Sequence, residues 1–213
     1  GASVLISMVE QPRQCQAALQ ALLAQRVEAL LVNVPLDDPH AEQLRALESP
    51  VPVLFLDVSP SAQVNSLVFN AEQGARLGIE HLLSLGHERI ALLSGPESSV
   101  SARARLAGWN ATLAQAGLEA VAVAHGDWSA ASGYEKGHLL LSAAQLPDAI
   151  VVANDQMALG VMRACAEKGT AIPGQMSVVG FDDTADSAWF SPPLTTIRQA
   201  FREAGERSVE GLL

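Results

Sequence analysis

Six short polar side chains close apolar runs in this chain: Asn33, Asp57, Asn154, Asp155, Asp182 and Asp183. The runs read Leu-Leu-Val before Asn33, Leu-Phe-Leu before Asp57, Ile-Val-Val-Ala before Asn154, and Val-Val-Gly-Phe before Asp182. A carboxylate accepts from two neighbouring hydroxyls and an amide both donates and accepts, so the set suits a hydroxyl-rich ligand. Asn and Asp are also common helix N-caps, and capping stays open for each member taken alone. The recurrence at the ends of apolar runs carries the reading, because open parallel sheets bind ligands beyond the carboxyl ends of their strands.

Two larger side chains join this set. Trp128, in Gly-Asp-Trp-Ser (126–129), would offer a flat apolar face to the C–H side of a pyranose ring; packing in a core or an interface is the other reading. Ser101 and Arg105 are four residues apart on a helix-like stretch and share a face. Arg105 would present paired donors to a sugar hydroxyl or a carboxylate, or else lie solvated on its helix. Asp57 and Asp182 would also make an acid–base pair for glycoside hydrolysis if they lay close together. The sequence contains no Gly-x-Ser-x-Gly elbow, no phosphate loop of the Gly-x4-Gly-Lys type, no His-Glu-x-x-His and no Gly-x-Gly-x-x-Gly. His81 and His87 are poorly spaced for two ligands on one helix, and His40, His125 and His138 are isolated, so neither metal nor cofactor is expected.

These residues are set by alternating elements. Apolar runs predict strands at Val4–Val9, Ala29–Val34, Val53–Asp57, Ser66–Phe69, Arg89–Ser94, Glu119–Ala124, Ala149–Ala153 and Ser177–Phe181, with a shorter one near Leu194–Arg198. Most are continuous Val, Ile and Leu, as in parallel strands covered on both faces. Helical stripes lie between them: Ala75, Ile79, Leu82 and Leu83 before Gly86; Leu106, Trp109 and Leu113 before Gly117; Met157, Val161, Ala164 and Cys165 before Gly169. Trp109 falls on its stripe and is expected in the core. The class is α/β with parallel sheets and right-handed crossovers.

The chain has 213 residues, 49% hydrophobic and 17% charged, which excludes a disordered polymer and allows one large α/β domain or two modest lobes. Its net charge of −10 argues against direct nucleic-acid binding, which draws most of its non-specific affinity from Lys and Arg. No apolar run reaches the roughly 18 residues of a membrane span. Cys15 and Cys165 lie apart on helix-like stretches and read as small buried hydrophobes in a reducing, cytoplasmic setting. The first residues, Gly-Ala-Ser-Val-Leu-Ile-Ser, carry no basic stretch, so no signal peptide is expected, and without an initiator Met the chain reads as a fragment.

Long collinear segments give the chain a resemblance. They are Leu-Leu-Ala-Gln-Arg-Val (22–27), Pro-Leu-Asp-Asp (35–38), Leu-Phe-Leu-Asp-Val (54–58), Ser-Ser-Val-Ser-Ala-Arg (98–103) and Gly-Asp-Trp-Ser (126–129). Val-Ala-Asn-Asp-Gln-Met-Ala-Leu-Gly (152–160), Ser-Val-Val-Gly-Phe-Asp-Asp-Thr (177–184) and Pro-Pro-Leu-Thr-Thr-Ile (192–197) continue the series. In these segments the chain resembles the lac repressor (LacI/GalR) family over essentially its whole length. The resemblance implies a type I periplasmic-binding-protein-like core with two lobes of mostly parallel sheet, residues 1–69 with 200–213 and residues 70–199, and a sugar cleft between them. It implies that Asp57, Arg105, Asn154 and Asp182 meet inducer hydroxyls, with Asn33 and Gln199 in the same network. Trp128 would stack on the pyranose, Leu56, Phe69 and Phe201 would form apolar walls, and Ser101 would add a polar contact.

By the same resemblance the chain is the galactoside-sensing core of a transcriptional repressor and not an enzyme. It would pair as a homodimer through a region including Trp189 and Phe190, and reach operator DNA only through a helix-turn-helix head that this chain lacks. The family's first core strand and helix would precede Gly1, leaving Val4–Val9 and Ala29–Val34 short of neighbours. An exported sugar-binding protein of a transport system, with the same fold, is the alternative.

Overall fold

The computed structural model describes residues 5–9, 14–34, 41, 43–44, 49, 51–55 and 71–198. The chain divides into two compact units, Gly1–Phe69 with Ser98–Val100 and Ala200–Leu213, and Asn70–Glu97 with Ser101–Gln199.

In the first unit, helix α1 (Cys15–Ala24) precedes strands β1 (Leu30–Val32) and β2 (Val53–Phe55). The strands pair in parallel, Leu30 against Val53 and Val32 against Phe55. A small core forms from Cys15, Leu19, Leu30, Val32, Ala41 and Phe55. Leu31 is 53% exposed, so β1 is not covered on both faces as its apolar run predicts. The run predicted as a strand at Val4–Val9 forms none over residues 5–9, where Leu5, Ile6 and Met8 are exposed. Apolar sequence makes a strand only where a neighbour takes its backbone hydrogen bonds, and the described residues pair none with this segment. The strand predicted at Ser66–Phe69 lies outside the described residues.

The second unit alternates regularly. Helix α2 (Ala71–Ser84) leads to β3 (Ile90–Ser94), α3 (Val100–Gln115), β4 (Ala122–His125), α4 (Ala130–Leu140), β5 (Ala149–Val152), α5 (Asp155–Glu167), β6 (Ser177–Asp182), a short 3-10 turn (Ser187–Trp189) and β7 (Thr195–Arg198). All five strands are parallel, in the order β4-β3-β5-β6-β7. The fourth strand begins at Ala122, three residues later than its apolar run starts, because its ladder with β3 opens at Ala91–Ala122. Every residue of β3 and β5 is buried, as the continuous apolar runs predict.

Helix α2 turns Ala75, Ile79 and Leu82 inward, each fully buried, and ends at Gly86 with φ 86°. The Gly86 and His87 N–H groups donate back to Leu83 and Leu82 carbonyls, a Schellman closure that the left-handed glycine permits. Trp109 and Leu113 of α3 and Met157, Val161, Ala164 and Cys165 of α5 complete the core, in the stripes read from sequence. Helices α4 and α5 meet at their backbones: a Cβ on Gly133 would lie 2.1 Å from the Met157 carbonyl oxygen. That contact sets the start of α5 beside the loop leading into α4. Cys15 and Cys165 are both buried as free thiols, and burial pushes the Cys165 thiol up to about 11. Among the described residues no helix is long and apolar enough to cross a membrane.

Candidate functional site

The strand order reverses between β3 and β5, on either side of which the chain winds in opposite directions. Side chains at the carboxyl ends of strands near such a point face a crevice. The segments that follow β3, β4 and β5 carry Arg105, Trp128 and Asn154, and β6 itself ends at Asp182.

Arg105 comes from the second turn of α3 and is 6% exposed, which overturns its reading as a solvated helix arginine. Its Nη1 donates to the Ala153 carbonyl oxygen at the end of β5. Its Nη2 stands 3.6 Å from Asp182 Oδ1. The guanidinium lies 4.1 Å from the centre of the Phe181 ring and 5.4 Å from that of Trp128. A buried cation is costly unless a partner charge, hydrogen bonds and ring faces replace its hydration, and all three are present here.

Asp182 ends β6 with φ 117°, a conformation a side chain enters only at a cost of about 1–3 kcal/mol. Burial pushes its carboxyl up to about 6; Arg105 opposes that shift and the neighbouring Asp155 adds to it. Asp155 is fully buried and serves the fold. Its Oδ2 accepts from the Thr184 N–H at 3.0 Å and the Ser187 hydroxyl at 2.5 Å, and its Oδ1 accepts from the Thr196 hydroxyl at 2.6 Å. Asp183 is likewise engaged, accepting from Arg198 Nε at 2.6 Å.

Trp128 also has a left-handed backbone, with φ 76°, and a half-buried indole. The ring lies against Gly95, where an added Cβ would come within 2.6 Å of two ring carbons. His125 Nδ1 bonds the Gly95 carbonyl oxygen at 3.2 Å, tying the end of β4 to the same peptide. Asn154 caps α5, its Oδ1 accepting from the Met157 N–H at 2.9 Å, while its Nδ2 donates to the Trp128 carbonyl oxygen at 3.0 Å. Capping and positioning of the tryptophan loop are thus the contacts Asn154 makes in this structure.

Ser101 is half-buried one turn before Arg105. Asn33 sits one residue past β1 in the first unit and is exposed. Leu56, Asp57, Phe69, Gln199 and Phe201 lie outside the described residues. Sequence reasoning passed over Gly95 and Phe181. The signal for Gly95 was available, since a glycine directly after a buried strand marks a close approach. Phe181 read only as the last apolar residue of a strand, and nothing in its spacing showed that it would cover a guanidinium. Among the described residues no group of three or more His, Cys, Asp or Glu could hold a metal ion.

Five parallel strands in this order, with a paired arginine and carboxylate and an indole at their carboxyl ends, define a doubly wound ligand-binding domain. The family described as periplasmic binding protein-like domain matches residues 79–213. The lactose operon repressor of Escherichia coli (strain K12) is 53% identical over 215 residues, covering 100% of this chain and 60% of that protein. The HTH-type transcriptional repressor PurR of Haemophilus influenzae (strain PittEE) is 32% identical over 204 residues, covering 95% of this chain and 61% of that protein. The crystal structure of the lac repressor dimer bound to operator and the anti-inducer ONPF matches with a TM-score of 0.90 at 51% identity, over 100% of this chain and 75% of that one. The chain therefore belongs to the lac repressor (LacI) family of periplasmic-binding-protein-like domains. It spans about 60% of the length of the curated relatives it matches.

Proposed function

We propose that this chain is the sugar-sensing core of a LacI-family transcriptional repressor, and that a galactoside binds at the carboxyl ends of β3–β6. The observation that carries this is the buried Arg105 set between Phe181, Trp128 and Asp182. A hydroxyl placed between Arg105 and Asp182 would accept from the guanidinium and donate to the carboxylate, completing a pair that stands 3.6 Å apart. Trp128 would cover the apolar face of the ring. Asn33, Leu56, Asp57, Phe69, Gln199 and Phe201 would complete the site, with residues 1–69 and 200–213 forming one lobe and 70–199 the other.

Such a ligand changes repression only through different affinities for two lobe orientations, and linkage makes operator DNA weaken sugar binding to the same degree. Operator DNA would be met by a helix-turn-helix head. Trp189, 86% exposed on its 3-10 turn, would be buried in a homodimer; Phe190 already packs in part against the core of its own unit. The relationship to repressors supports regulation over transport.

Titration calorimetry with a galactoside tests the site. Arg105→Ala is expected to weaken binding by roughly 1–3 kcal/mol, the worth of hydrogen bonds from a charged donor. Unchanged affinity in that variant would remove the assignment.

A further inference from the structure

At the opposite end of the same sheet, the amino ends of β6 and β7 open onto a pocket of about 170 Å³. Leu82, Met162, Ile172, Pro192 and Leu194 contribute to its apolar wall, and Ser177 stands in it as a polar group. His81, exposed on the last turn of α2, lies at the rim. Ser177 and Asp182 bracket β6, so the pocket is about 17 Å from the carboxylate of the sugar site at the usual rise of a strand. The two sites do not overlap.

Ser177 is held in a relay. Asp148 Oδ1 lies 3.2 Å from His87 Nδ1, and His87 Nε2 lies 2.9 Å from Ser177 Oγ. The other Asp148 oxygen accepts from the backbone N–H groups of Glu88 at 3.4 Å and Arg89 at 3.3 Å. A carboxylate so engaged acts as an acceptor, which assigns the proton of a neutral His87 to Nδ1. While His87 is neutral its Nε2 is then an acceptor, and the Ser177 hydroxyl spends its only proton on it. What Ser177 retains for the pocket is a pair of acceptor lone pairs, polarised by the relay behind them.

We propose that this pocket binds a single-ring phenol, its ring against the apolar wall and its hydroxyl donating to Ser177 Oγ. The volume matches that of cavities that hold one benzene ring, about 150 Å³. The fixed acceptor supplies the selectivity: an O–H donor is welcomed, whereas an ether or a bare hydrocarbon leaves Ser177 desolvated and unmatched.

Ligand titrations of the 15N-labelled chain, followed by amide shifts, test this with phenol, anisole and toluene as probes. Phenol is expected to move the amides of Leu82, Ser177 and Leu194 and leave the Trp128 indole resonance in place, binding roughly threefold to tenfold more tightly than anisole. In Ser177→Ala that preference should vanish while toluene still binds. Equal affinity for phenol and anisole in the unaltered chain, shifts that do not saturate, or a preference that survives in Ser177→Ala would each overturn the proposal. Because the readout lies at Leu82 and Ser177, its failure leaves the galactoside site untouched, and the reverse also holds.

Discussion

Arg105 and Asp182 show how burial sets the chemistry of a single pair. Asp182 loses more from burial than it regains from the guanidinium, so its carboxyl titrates near 6 in the folded chain against an ordinary value of 3.8. Between those two values the folded state holds a proton that the unfolded state releases, and stability must fall as pH rises. Relative to Asp182→Asn, the unaltered chain is expected to lose up to about 3 kcal/mol between roughly pH 4 and 6 and to stay level above that, opposite to a carboxylate stabilised by its ion pair. Thermal melts of both proteins across pH 4–7 check the sign; an unaltered chain that gains stability relative to Asp182→Asn as pH rises would refute it. The seat of Trp128 is as local. Gly95→Ala puts a methyl where two indole carbons now lie, so the ring must swing away. Its fluorescence should shift toward that of an exposed indole while the fold persists, and an unchanged spectrum would mean the ring is placed by other contacts.

At the scale of elements, the loop after β6 is fastened by one buried carboxylate. Asp155, at the start of α5, reaches Thr184 and Ser187 of that loop and Thr196 of β7. Removing it takes the acceptor from the buried Ser187 hydroxyl, the half-buried Thr196 hydroxyl and the N–H of the exposed Thr184, and Asp155→Ala is expected to cost about 3 kcal/mol in denaturant unfolding. A loss below about 1 kcal/mol would show that water or a rearranged loop replaces the carboxylate. From sequence, Asp155 had the same standing as Asp182, since both follow an apolar run. They part company because Asp155 opens α5 with its carboxylate buried against the loop after β6 and against Thr196 of β7, whereas Asp182 ends a strand. The helices, by contrast, were plain in advance: Ala75, Ile79 and Leu82 repeat at helical spacing, and that spacing leads to one buried face whatever the partner.

For the whole molecule, assembly is the property with the largest consequence. Trp189 presents an indole 86% exposed on its 3-10 turn, in the region that the family resemblance assigns to subunit contact. A chain extended to the length of its relatives is expected to sediment as a dimer at micromolar concentration, and Trp189→Arg to shift it toward monomer. A monomer in the unaltered protein would remove the interface reading.

The order of residues alone determined the alternation of strands and helices in the second unit, the buried stripes and the gathering of Asn and Asp at strand ends. Each of these depends on spacing along a regular element, and spacing is local. Which polar residue faces a ligand and which braces the fold, whether Arg105 is solvated or enclosed, and whether an apolar run such as residues 5–9 becomes a strand were decided by neighbours distant in the chain. Hydrogen-bond partners, ring faces and desolvation are supplied by packing, so only the folded arrangement could assign them.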